Sequence, residues 1–68
     1  MYRTDLIKEA VEKEGLVAIA ARSGVSTDTV ARARDGENLS IQSLEMIAAS
    51  IGVMRSDLFA AEREQLAA

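Results

Sequence analysis

The chain has 68 residues, 49% of them hydrophobic, with neither Cys nor His and a formal net charge of −3. A chain this short buries only about 60% of the surface its unfolded form exposes, enough for a small core and too little for a deep catalytic cleft. Without Cys and His there is no disulfide, no thiolate zinc site, no imidazole base and no Ser-His or Cys-His nucleophile pair, so no enzyme, metal site or cofactor is expected.

No apolar run approaches the roughly 20 residues of a membrane span. Met1 to Glu14 is mixed in charge and lacks the apolar centre of a signal peptide. The lack of Cys fits the cytoplasm. No Pro occurs, and glycines at 15, 24, 36 and 52 cut the chain into helix-sized pieces. No stretch alternates with period two, so the sequence predicts an all-α domain of five short helices spanning residues 1–68.

The first helix is expected from about Thr4 to Glu14. Leu6, Ile7, Ala10 and Val11 share one stripe. Thr4 reads as its N-cap, Asp5 suits the positive end of the dipole, and Lys8–Glu12 and Glu9–Lys13 are pairs four apart. Gly15 ends it. The second helix runs from about Leu16 to Ser23, with Leu16, Ile19, Ala20 and Ser23 inward. Gly24 then permits a left-handed turn, and Val25 plugs it.

Ser26 caps a third helix, from about Thr27 to Arg34, with Val30 and Ala33 inward. Gly36 stops it, and Glu37 to Leu39 form a polar loop. Ser40 caps a fourth helix, from about Ile41 to Ser50, whose stripe is Ile41, Leu44, Ile47, Ala48 and Ile51. Gly52 ends it. The last helix begins near Arg55 or Ser56 and reaches at least Gln65, with Leu58, Phe59, Ala61 and Leu66 apolar. Tyr2 and the methionines read as packing residues.

The stretch Leu16 to Gly36, LVAIAARSGVSTDTVARARDG, carries the functional signal. Two short helices joined by a four-residue turn cross steeply, at about 90–120° in this motif. Ala20 is small enough to stand at the crossing. The outer face of the second motif helix is short and polar, with Thr27, Asp28, Ala31 and Arg32. Such a face fits a major groove about 12 Å wide.

From Gly15 to Phe59 the chain resembles the lambda-repressor and Cro-like (XRE-type) helix-turn-helix proteins. IAARSGVSTDTVARARDG matches the helix, turn and recognition helix; NLSIQSLEMIAASIGV looks like the fourth helix; RSDLF looks like the start of the fifth. These segments arrive in the family's order. The resemblance implies a transcriptional regulator, with repression the expected mode, that reads a palindromic operator in double-stranded DNA as a homodimer. It implies a bacterial or phage-encoded protein of the cytoplasm, on the nucleoid when bound. The chain departs from the pattern at Gly15, Leu16 and Val17, where the family usually has a polar phosphate clamp. Backbone N–H groups and the helix dipole remain for that task.

The expected base contacts are Thr27, Asp28, Ala31 and Arg32. Arg32 can bond bidentately to guanine or clamp a phosphate; Asp28 can accept from cytosine or serve the helix dipole; Ala31 can meet a thymine methyl. The expected phosphate contacts are Arg22, Ser26, Thr29, Arg34, Asn38 and Ser40. In Leu16–Gly36 three Arg against two Asp leave +1, while Glu37–Ala68 carries −3 and Met1–Gly15 carries −1. The motif is thus the one positive segment. Met54, Leu58, Phe59 and Leu66, in or beside a dimerisation helix over 55–66, are the expected seam. The rival expectation is a protein-interaction module or antitoxin-like subunit that keeps the fold without strong DNA binding; the acidic balance and Leu16-Val17 favour it. No membrane partner and no small-molecule substrate is expected.

Overall fold

The computed structural model describes residues 2–59. They form five helices: α1 (Thr4–Glu14), α2 (Leu16–Ser23), α3 (Thr27–Arg34), α4 (Ile41–Ser50) and α5 (Arg55–Leu58). No strand occurs among the described residues. The domain is all-α and helix-turn-helix-like. Residues 60–68, and with them Ala61, Gln65 and Leu66 of the expected fifth helix, lie outside the described residues.

The helices form where the apolar stripes have something to bury. Ile7 of α1, Ile19 of α2, Val30 and Ala33 of α3, Ile47 of α4 and Leu58 of α5 are all fully buried. Leu44, Ala48, Ala20 and Ala10 complete the cluster. α2 lies at the centre and packs on α1, α3 and α4, while α1 also packs on α3 and α5 on α4. Ser23 is the one buried polar residue among those described. Its hydroxyl donates to the Ile19 carbonyl at 2.7 Å, so burial leaves nothing unsatisfied.

The turn between α2 and α3 follows the expected chemistry. Gly24 takes φ 80°, and its N–H donates to the Ala20 carbonyl at 3.0 Å. A side chain there would be strained, and its Cβ would also touch Met46 Cε at 3.5 Å. Ser26 accepts from the Thr29 N–H at 3.1 Å and Ser40 accepts from the Ser43 N–H at 3.2 Å. Both serines are therefore N-caps.

Several expectations need correction. Thr4 is the first residue of α1, not its cap; Arg3 holds the cap position without a side-chain capping bond, its guanidinium pairing with Asp5 instead. Glu9–Lys13 closes at 3.1 Å, whereas no ion pair joins Lys8 to Glu12. Ile41 opens α4 and is 56% exposed, because the first turn points past the core. Met54 is 69% exposed and packs on nothing that buries it. Leu58 is 0% exposed. Its side chain is used up inside the protomer, which removes it from the expected seam.

Tyr2 is buried, as expected, and does more than pack. Its hydroxyl lies 2.9 Å from the carbonyl oxygens of both Ala33 and Glu37, donating its one proton between them. The Arg3 N–H donates to the Leu58 carbonyl at 2.8 Å. The N-terminal residues thus tie the end of α3 to α5.

Candidate nucleic-acid interface

α3 is held from behind. Val30 and Ala33 are sealed in the core, and this fixes which side faces out. Thr27, Asp28 and Arg32 are exposed, and Ala31 is half-buried beside them. The four expected base contacts therefore include three on the open side of the helix and one at its edge.

The hydroxyls at the start of α3 are partly committed. Ser26 Oγ takes the Thr29 N–H and also lies 2.9 Å from Thr29 Oγ1. Ser40 Oγ donates to Ser43 Oγ at 2.9 Å while it caps α4. Capping accounts for Ser26 and Ser40, and Thr29 is half-buried against the cap. Asn38 is exposed, and its side-chain amide has no partner among the described residues. It lines a shallow pocket of about 380 Å³ with Tyr2, Leu39, Ile41, Leu44 and Phe59.

The electrostatics of the face depend on three ion pairs. Arg22 meets Glu14, Arg32 Nε lies 3.3 Å from Glu37 Oε1, and Arg34 Nε lies 3.1 Å from Asp35 Oδ1. Every arginine of the motif thus has a carboxylate beside it. Hydrogen bonding from Arg22 holds the Glu14 carboxyl below its usual range, and the same bond raises Arg22. All three pairs are substantially exposed, and solvent screens such pairs so that they hold their partners only weakly. DNA phosphates can therefore compete for these guanidiniums.

Sequence reasoning missed the acidic partners and the hydrogen bonds of the Tyr2 hydroxyl. One of them carried a signal. Gly36 stands one residue past the C-cap Asp35, with φ 80°. The Glu37 N–H donates to the Arg32 carbonyl at 3.0 Å and the Gly36 N–H to the Ala33 carbonyl at 3.2 Å. This is the Schellman pattern, which brings the residue after the glycine back over the one five before it. Glu37 over Arg32 follows from it. Glu14 and Arg22 are eight apart across the α1–α2 corner, and no local rule pairs them.

No family model, no curated protein and no solved structure matches this chain. The site stands on its own geometry. Among the described residues no group of three His, Cys, Asp or Glu could hold a metal ion, and no helix is long and apolar enough to cross a membrane.

The surroundings of α2 add one feature. Its first turn has no side-chain cap at Gly15, and Val17 there is 74% exposed. The start of this helix offers bare N–H groups beside an apolar side chain. Among the seam residues, Phe59 is half-buried and packs against the core cluster, and Met54 stands open.

Proposed function

We propose that this domain binds double-stranded DNA in the major groove, with α3 as the reading helix, and acts as a homodimeric transcriptional regulator on a palindromic operator. The observation that carries the reading is the two-sided build of α3. Val30 and Ala33 anchor one side in the core, and Thr27, Asp28 and Arg32 stand exposed on the other. A helix so held, behind a tight turn at Gly24, presents a narrow polar edge to a groove. Thr27, Asp28, Ala31 and Arg32 face bases in this reading. Arg22, Arg34, Asn38 and the N-terminal turn of α2 hold the backbone. Selection of bound duplexes from a random pool tests it: enrichment of a two-fold sequence supports it, and no enrichment by the folded protein opposes it.

A second reading has its own support. The three motif arginines each meet a carboxylate, and Val17 stands exposed where a phosphate would approach α2. A face of cancelled charge with an open apolar residue suits a protein partner. In that reading the domain is an interaction module or antitoxin-like subunit. A folded wild type that enriches no duplex is the result that selects it. Leucine or valine side chains do not clamp phosphates, so Val17→Gln should strengthen DNA binding in the first reading and weaken partner binding in the second.

A further inference from the structure

The three arginines of the motif are not equivalent, and the difference lies in which nitrogens their carboxylates take. Asp35 engages Arg34 through both Nε, at 3.1 Å, and Nη2, at 3.5 Å. Glu14 engages Arg22 through Nη1. Glu37 engages Arg32 through Nε alone, at 3.3 Å. Among the described residues, nothing bonds Nη1 or Nη2 of Arg32. It is the one motif arginine whose terminal pair of nitrogens is wholly open, and that pair makes the bidentate fork onto guanine O6 and N7.

Glu37 is also placed more firmly than an ordinary surface acid. Its N–H donates to the Arg32 carbonyl at 3.0 Å, and its own carbonyl accepts from the buried Tyr2 hydroxyl at 2.9 Å. Gly36 before it has φ 80°, and a Cβ there would press on Thr4 Cγ2 at 3.3 Å. The backbone of Glu37 is therefore fixed on both sides, and its carboxylate is carried to Arg32 by that backbone. An arginine free in water loses several rotamers when it binds. Holding Nε beforehand removes part of that loss and sets the plane of the guanidinium.

The geometry points to Glu37 as a positioning residue that aims Arg32 at a guanine, so that Arg32 reads a base while Arg34 and Arg22 serve the backbone. This rests on the DNA-binding reading above. Glu37 touches no base itself; it acts through Arg32.

Glu37→Ala, which removes the carboxylate that accepts from Arg32 Nε, tests the assignment. The backbone bonds that place residue 37 do not involve its side chain, so the variant folds, and its melting is checked against wild type. Two probes are used: the duplex enriched from a random pool by the wild type, and a random-sequence duplex. A buttress predicts loss of preference for guanine at one position per half-site, by about tenfold, within what a bidentate guanine contact contributes. Affinity for the random duplex stays level or rises, since one negative charge is gone. In an Arg32→Ala background the same change has no effect on preference. Equal tightening on both duplexes would overturn the assignment, because it would make Glu37 a competitor of DNA for Arg32. Unchanged preference would also overturn it. If the wild type enriches no duplex at all, the DNA reading fails and takes this one with it.

Discussion

The Tyr2 hydroxyl lies 2.9 Å from the carbonyl oxygen of Ala33, a residue 31 positions away at the end of α3. The same hydroxyl reaches Glu37 at 2.9 Å. A residue near the start of the chain therefore fastens α3 and the loop after it. Tyr2→Phe keeps the packed ring and deletes this bond. It should cost about 0.5–1.5 kcal/mol, read by chemical denaturation. Burial, then the charges of Glu37 and Asp35, raise the Tyr2 hydroxyl above its usual 10.0. Its folded value lies above its unfolded one, so its contribution is whole below about pH 10 and is lost as pH rises through the folded value. Tyr2→Phe should remove that alkaline component.

At the acid end the sign reverses. Hydrogen bonding from Arg22 lowers Glu14, and hydrogen bonding from Arg3 lowers Asp5. Groups with lowered folded values stabilise above their unfolded values and lose that contribution as pH falls through the folded ones. Stability should decline below about pH 4.5. Glu14→Gln and Asp5→Asn should each flatten the decline in urea titrations run from pH 6 to pH 3.

Much of this fold is legible in the sequence because its signals are local. Gly24 after the Ser23 position, Ser26 and Ser40 as caps, and the stripes through Ile7, Ile19, Val30 and Ile47 need only nearest neighbours and a helical period. Ile41 escapes that logic, since a stripe residue in the first turn of α4 projects beyond the core. Tyr2 and Glu14 escape it because their partners arrive through tertiary packing. Leu58 misleads for a related reason: an apolar residue on a short helix looks surplus until α5 is seen packed on α4 with Leu58 sealed in the core.

The expected seam separates into testable parts. Leu58→Ala should destabilise the protomer by about 2–5 kcal/mol, as for a buried leucine anywhere, with no specific effect on assembly. Met54→Glu changes an exposed side chain and leaves the core intact. If copies meet here, it shifts the protein toward monomer in sedimentation at micromolar concentration and lowers operator affinity while sparing half-site binding. Phe59→Asp should do the same, with some loss of stability because Phe59 also packs on the core. A wild type that is monomeric alone and on DNA would remove the seam.

Arg32→Ala probes the proposed reading face. Loss of a guanine contact costs about 1–3 kcal/mol and relaxes preference at one base pair. A phosphate clamp would instead weaken binding evenly across sequences. Competition between duplex variants distinguishes the two, and unchanged affinity in the folded variant would turn this helix away from DNA.

The central claim is that α3 and its flanks engage a DNA duplex, and the salt dependence of affinity tests it most directly. Each phosphate neutralised contributes about −0.9 to the slope of log K against log salt. With few cations per protomer, fluorescence anisotropy of a labelled, pool-selected duplex should give a slope of roughly −4 to −7 for the dimer. Absence of binding, or an affinity indifferent to salt, would contradict the account.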